Sequence, residues 1–394
     1  MSQSGALSFS YWETKTWLAG IDYCIVGSGI TGLSCALKLR QLKPDARIAI
    51  LERGVLPYGA STRNAGFACF GSPTEILDDL NTHSEAELIA LVTQRYQGIQ
   101  RLRSLVGDAA MAFQQQGGYE VFREHEAALY EEVLEQLPYL NDLLRPVFGQ
   151  DAFLRRSTRF GMGKILPETI CNPLEGQLNP GLMIRELIRK AQEANIDIFY
   201  GMQLLRYEDA GDSVSLEVGR GGAPGKNEAS LQIRCKNLLL ATNGFAALQA
   251  PELAVEPARA QVLITEPIPE LHIKGTFHLE AGYYYFRNVG DRVLLGGGRN
   301  LDKAGETTTE FGTTDRIQEQ LESLLSEVIL PEQKAKIAQR WSGIMGVGPQ
   351  KKPILRKLSQ RVCCGVRLGG MGVAIGSHTG AALANLAVSD ASPK

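Results

Sequence analysis

Histidine is scarce in this sequence: five scattered residues, none at the spacing of a metal-ligand pair, so no metal centre is expected. The seven cysteines (24, 35, 69, 171, 235, 363 and 364) are odd in number and contain no C-x-x-C. That argues against a disulfide framework and a thioredoxin-like redox centre, and for reduced thiols in a cytoplasm. The adjacent Cys363 and Cys364 read as strand packing. No block of like charge breaks the chain, and 41 basic residues stand against 43 acidic ones; neither nucleic acid nor an acidic membrane is an expected partner. No apolar run approaches the ~18–20 residues of a membrane span. The opening stretch, "MSQSGALSFSYWETK", lacks the basic start and apolar core of a signal peptide, so no secretory leader is expected. What remains is ordinary: 394 residues, 44% apolar and 21% charged, enough for two or three domains with a proper core.

The informative stretch is "IDYCIVGSGITGLSCAL" (21–37), with a G-x-G-x-x-G at Gly27, Gly29 and Gly32. An apolar run bounded by glycine predicts a strand buried on both faces. Gly27 permits the tight turn, Gly29 lets backbone approach a pyrophosphate, and Gly32 lets helix and strand pack closely. A helix follows from Ile30 until Pro44 ends it, and its start offers free N–H groups to phosphate. "RIAIL" is the second strand, and Glu52 stands twenty residues after Gly32, where a carboxylate accepts hydrogen bonds from ribose hydroxyls and repels a 2′-phosphate. Strand, helix, strand and acid together predict a dinucleotide site.

The next residues bear on which dinucleotide. A nicotinamide enzyme would go on alternating strands and helices, whereas "RGVLPYGASTRNAGFACFG" runs through small and polar residues straight after the acid. Ser61, Thr62 and Asn64 offer hydrogen bonds, and Ala65 and Gly66 allow close backbone contact, along a chain long enough to follow an extended cofactor towards its ring. "NLLLATNGF" (237–245) predicts another buried strand ending in Thr242, Asn243 and Gly244. "RLGGMGVAIGSHTGAALANL" predicts a glycine cluster and then a helix with Gly372, Gly376 and Gly380 on one face. The start of that helix suits the negative edge of a reduced flavin.

In this order the motifs resemble the D-amino-acid oxidase superfamily of FAD proteins, a group with glycine oxidase, sarcosine oxidase and γ-glutamylputrescine oxidase. The last is nearest in style, through "SYWE" and "S-x-R-N-x-G". The resemblance implies an α/β fold: a Rossmann-type FAD-binding domain with a discontinuous chain (1–80, 151–255 and 341–394), and an α+β substrate domain with a mainly antiparallel sheet (81–150 and 256–340). The expected cofactor set is Gly27, Ser28, Gly29, Ile30, Thr31, Gly32, Glu52, Arg53, Ser61, Thr62, Arg63, Asn64, Ala65, Gly66, Leu204, Thr242, Asn243, Gly244, Gly343, Gly370, Met371, Gly372 and Val373. Some relatives attach flavin through a histidine or a cysteine; Arg63 and Ile344 stand at about those places here, so FAD is expected to be non-covalent. Cys69 is close in sequence and is expected to be packing.

The activity implied is oxidation of a small amine or amino acid by hydride transfer to flavin N5, giving an imine that hydrolyses, with electrons passing to oxygen or another acceptor. A neutral amine needs no strong base, consistent with a sequence that shows no catalytic histidine or carboxylate pair. Several members hold a substrate carboxylate with an arginine in "W-x-G-x-R-P"; this chain reads "WSGIMGVGPQKKPIL", with Met345 in that place. Either another cation takes over, with Arg287 in "YYYFRN" the first candidate, or the substrate carries no carboxylate at that spot; Tyr284, Phe286 and Trp341 are candidates for an aromatic wall. His378, one turn inside the last helix, is the motif-linked candidate for a pocket base. The alternatives are a 2-hydroxy-acid or polyol dehydrogenase of the same fold, a flavin-binding subunit without turnover, and a nicotinamide dehydrogenase. The oligomeric state stays open, a homo-oligomer included.

Elsewhere, Ser84 and Glu87 form a capping box opening one helix, a second helical pattern covers 124–144, and Asn179–Pro180 starts a third. "DIFY", "QLLRYE", "SVSLEV" and "LQIR" read as short strands with a glycine-rich hairpin tip at 219–225. "ARAQVLITE", "AGYYYFRN" and "DRVLLGGGR" read as the sheet of the substrate domain.

Overall fold

The computed structural model describes residues 9–158, 160–220 and 230–389. Ile21–Val26 is a strand whose neighbours are both parallel, Ile48–Glu52 on one side and Leu231–Leu240 on the other. The sheet continues with Asp197–Tyr200 beyond Ile48–Glu52, and with Val362–Val366 and the antiparallel Ile354–Lys357 beyond Leu231–Leu240. Parallel strands need long crossovers, and helices supply the cover. Tyr23 and Ile25 pack under Ile30–Leu42, Pro180–Glu193 and Gly372–Val388, while Cys24 and Val26 face Leu204, Leu216 and Ile233 of an antiparallel meander. Cys363 and Cys364 point to opposite faces of the same strand, and all seven cysteines are buried and free.

"LQIR" and "NLLL" prove to be one strand, Leu231–Leu240. Its first half pairs antiparallel with Val214–Arg220 and its second half lies between parallel neighbours. The alternating pattern therefore gives way to a continuous apolar one where burial changes from one face to two. The expected hairpin tip, from 221 onward, lies outside the described residues.

The last helix packs by backbone. A Cβ on Gly380 would collide with the Thr31 carbonyl and stand 2.9 Å from the Cys35 nitrogen, and one on Gly376 would be 3.0 Å from Ile30. On its other side Gly98, in Glu85–Val106, admits the Ala374 carbonyl, and Ser377 Oγ donates to the Gly98 carbonyl at 2.5 Å. Glycine on both sides brings helix axes close enough to fix the starts of Ile30–Leu42 and Gly372–Val388 beside one cavity.

The second sheet runs Ile337–Val347, Glu256–Thr265, Arg292–Gly297, Tyr284–Val289, Thr276–Leu279, Gly118–Val121, Thr169–Asn172 and Leu154–Arg156, antiparallel except where Thr276–Leu279 meets Gly118–Val121. One face, with Leu263, Phe277, Tyr284, Phe286 and Val293, packs under Asp315–Leu324; the other looks towards the first sheet. Leu154–Arg156 and Thr169–Asn172 fall in 151–255, the segment assigned above to the cofactor domain, and Ile337–Val347 crosses the boundary drawn at 341. Periodicity identifies a strand but does not say which sheet takes it. Pro73–Leu80, Glu85–Val106 and Ala127–Phe148 form a helical lobe; Ser84 and Glu87 make the capping box, and the third helix runs on to a left-handed Gly149. Among the described residues no helix is long and apolar enough to cross a membrane.

Gly380→Leu forces a side chain between two touching helices. It is expected to destabilise the protein by about 1–3 kcal/mol, read as a lower thermal midpoint, and to weaken cofactor retention.

Candidate active site

A cavity of about 420 Å³ opens between the two sheets. At its first-sheet end the chain turns at Gly27, whose φ of +103° suits glycine, and a Cβ there would stand 2.9 Å from the Ala241 carbonyl. A Cβ on Gly32 would strike the Gly27 carbonyl. The helix begins at Ile30, whose N–H donates to Ser61 Oγ at 3.0 Å. Glu52 is buried, one oxygen accepting from Ser28 Oγ (2.6 Å) and the Ser28 N–H (3.1 Å), the other from the Gly54 N–H (2.9 Å). The turn thus holds the carboxylate, which has lone pairs left for the cavity. Arg53 stacks on Phe245 at 3.7 Å, and burial lowers its pKa.

The second stretch is tied down in turn. Thr62 Oγ1 donates to the Pro57 carbonyl at 2.9 Å, and the Asn64 amide donates to Ala60 and Ser61 carbonyls while its oxygen accepts from the Gly66 N–H. Arg63 donates to the Ser342 carbonyl and lies over Tyr58 and Phe311. The third and fourth stretches join at Asn243, whose side-chain oxygen accepts from the Leu368 N–H at 3.0 Å. Glu52, Ser61, Asn243 and Gly372 belong to segments far apart in sequence, and all four line the cavity.

Of the expected cofactor set, Gly27, Gly29, Ile30, Thr31, Glu52, Arg53, Ser61, Arg63, Asn64, Ala65, Gly66, Leu204, Thr242, Asn243, Gly343, Gly370, Met371, Gly372 and Val373 line the cavity. Ser28, Gly32, Thr62 and Gly244 stand behind the lining: Ser28 on Glu52, Gly32 on Gly27, Thr62 in its turn and Gly244 against the Met345 backbone. The residues fit FAD: a carboxylate for the adenosine ribose, a glycine turn and helix start for the pyrophosphate, and a second helix start for the ring.

The expected catalytic group separates. Met345 lines the cavity, but Tyr284, Arg287, Trp341 and His378 do not. Tyr284 points into the core of the second sheet, where burial pushes its hydroxyl up to about 12; strand alternation places Tyr285 on the cavity instead. Arg287 is buried and donates to the carbonyls of Ala65, Leu178 (3.0 Å) and Asn288 (3.4 Å), bolting the second sheet to the cofactor loop. Burial lowers its pKa to about 10. Trp341 Nε1 donates to the Arg63 carbonyl at 3.0 Å, outside the cavity. His378 turns towards Arg101; burial first, and that charge second, lower its pKa.

The second-sheet wall holds residues the sequence did not single out: Phe67, Glu75, His278, Tyr283 and Tyr285, with Arg299, Asn300 and Lys303 where the chain leaves Arg292–Gly297. Cys69 also lines it, its Sγ 3.6 Å from Met371 Sδ, and burial keeps its pKa well above the ordinary thiol value. Phe67 packs edge-on against both His278 and Tyr285. The period-2 pattern of "YYYFRN" puts Tyr284 and Tyr285 on opposite faces without saying which one meets the cavity; Glu75 and His278 belong to unrelated segments and carried no local signal. Behind this wall two more carboxyls are fully buried. Glu120, bonded to Ser72 and Thr74, is pushed up by burial to about 7, and Glu175, bonded to the Phe70 N–H, to about 8.

A family model described as FAD dependent oxidoreductase (DAO) matches residues 22–386. Hydrogen cyanide synthase subunit HcnC from Pseudomonas protegens is 25% identical over 373 residues, covering 85% of this chain and 84% of that protein. Among solved structures, glycine oxidase from Geobacillus kaustophilus superposes with a TM-score of 0.71 at 18% identity, covering 93% of this chain and 94% of that one. Iminodiacetate oxidase from Chelativorans sp. BNC1 gives 0.70 at 19% identity, covering 94% and 96%.

Glu52→Gln removes the charge that the turn presents to a ribose. The dissociation constant for FAD, measured by fluorescence titration of apoprotein, is expected to rise about tenfold or more, since a hydrogen bond to a charged group contributes about 1.5–3 kcal/mol. Acid precipitation of the holoprotein is expected to release all the yellow colour, as non-covalent binding requires.

Proposed function

The chain belongs to the DAO family of FAD-dependent oxidoreductases, and from that premise we propose that it oxidises the C–N bond of a small amine or amino acid. Bound FAD supplies the hydride acceptor, its N5. The chain's own residues then orient the substrate and exclude water. Glu52 would hold the adenosine ribose, the start of Ile30–Leu42 the pyrophosphate, and the start of Gly372–Val388 would offer its N–H groups to the ring. The oxidised substrate leaves as an imine that water hydrolyses, and the electrons pass to oxygen or another acceptor. Seven buried, unpaired thiols support a reducing, cytoplasmic setting.

One observation carries the choice of an amine. The second-sheet wall offers Phe67, Tyr283 and Tyr285 around the carboxylate of Glu75, a combination that attracts a positively charged nitrogen. Met345, standing where relatives carry an arginine, offers no cation to a substrate carboxylate. Arg299 and Lys303 are the cations on that side of the cavity for a substrate that does carry a carboxylate. His278 on the same wall favours a second reading, oxidation of a polyol, because an alcohol needs a base for its proton.

Anaerobic mixing of the holoprotein with a panel of amines, amino acids, hydroxy acids and polyols tests both readings. Amines or amino acids are expected to bleach the flavin, with peroxide formed on admitting air if oxygen is the acceptor. Bleaching by polyols alone would transfer the reading to them, and bleaching by nothing in the panel would leave a flavin-binding subunit.

A further inference from the structure

Among the described residues no lysine or arginine pairs with the wall carboxylate of Glu75. Its Oε2 accepts from the Ser72 N–H at 2.9 Å, closing the capping box of Pro73–Leu80. Its Oε1 accepts no hydrogen bond from the described residues. Lys351 bridges Asp78 and Asp79, Arg95 meets Asp79, and Arg123 meets Glu280, while Arg299 and Lys303 line the same cavity without pairing to Glu75. The nearest ionisable nitrogen is His278 Nδ1, 3.7 Å from Oε2; burial lowers the pKa of that imidazole, against the smaller pull of Glu75. The Glu75 side chain is 22% exposed and lines the cavity, so a cation bound there can reach it. The capping box explains one oxygen of Glu75 and leaves the other without a role.

We propose that Glu75 binds a second, non-reacting ammonium group of the substrate, so that the protein acts on diamines or on amines bearing a distal cation. This rests on the amine reading of the site. The reacting nitrogen itself is a poor partner for Glu75. Its lone pair must be free for hydride to leave the neighbouring carbon, and a carboxylate beside it would favour the protonated form. A distal ammonium has no such conflict: it remains charged throughout, takes a charge-assisted hydrogen bond from its N–H to Oε1, and stacks against Phe67 and Tyr285. The family's binding polarity is thereby reversed, from an arginine that holds a carboxylate to a carboxylate that holds an ammonium. His278, wedged between Glu75 and the edge of Phe67, acts as a positioning residue for the carboxylate.

The test compares 1,4-diaminobutane with n-butylamine as anaerobic reductants of the holoprotein, in the wild type and in Glu75→Gln. The diamine is expected to bleach wild type with an apparent second-order constant ~10–100-fold above the monoamine, the worth of one charge-assisted hydrogen bond. In Glu75→Gln that ratio is expected to fall to within about threefold of unity. A binding measurement that needs no turnover runs alongside. By calorimetry, wild type should bind 2,5-diamino-2,5-dimethylhexane, whose amine carbons bear no hydrogen, at least about tenfold more tightly than tert-butylamine. Equal bleaching by mono- and diamine, together with equal binding of the two unreactive probes, would overturn the proposal. If no amine bleaches the flavin but the unreactive diamine binds selectively and loses that selectivity in Glu75→Gln, the ammonium subsite stands and amine oxidation falls.

Discussion

Backbone touches backbone at the centre of this molecule, and the cavity depends on it. Gly32 admits the Gly27 carbonyl, Gly380 admits that of Thr31, and Gly98 admits that of Ala374. Any Cβ at these positions would part the elements by more than ordinary side-chain repacking absorbs. With the glycines in place, two helices begin beside the same cavity. Each start leaves N–H groups without intrahelical partners, a site for negative charge. Two such starts on one cavity suit a cofactor with a pyrophosphate in the middle and an electron-accepting ring at one end.

The rest of the first-sheet end fixes donors and acceptors rather than shape. Ser28 and Gly54 hold Glu52 from two sides, Ser61 meets the helix start, and Asn243 joins the end of Leu231–Leu240 to the loop before the last helix. These bonds join segments from four parts of the chain, so the site forms only when the sheet has closed. Arg287 does similar work between the sheets, giving its guanidinium to backbone carbonyls. A buried arginine that binds carbonyls has little capacity left for a substrate anion.

The second-sheet wall is electrostatically unlike the first. Glu75, Glu120 and Glu175 gather near it, and burial pushes the two deeper carboxyls up, to about 7 and about 8. Their bonds to the segment carrying Phe70, Ser72 and Thr74 anchor the stretch that brings Cys69 and Glu75 to the cavity. The wall therefore sets one half-buried carboxylate, Glu75, on the same cavity as Arg299 and Lys303, with two deeper carboxyls behind it.

Local sequence was sufficient for the cofactor end. Strand, glycine turn, helix and acid occur within thirty-odd consecutive residues, and their spacing is set by helix rise and strand length, which no distant contact alters. The Ser84 box, the Asn179 cap and the glycine face of the last helix were legible for the same reason. The second-sheet wall was not. Tyr284 and Tyr285 are equivalent in composition, and only the register of the second sheet sends one into the core and the other to the cavity. Arg287 sits on the cavity side of its strand, yet the carbonyls that occupy it come from residues 65 and 178, and no pattern around it announces them. Glu75 and His278 lie some two hundred residues apart. Their meeting is a property of how the helical lobe packs on the second sheet, and that packing was decided by the whole hydrophobic interior together.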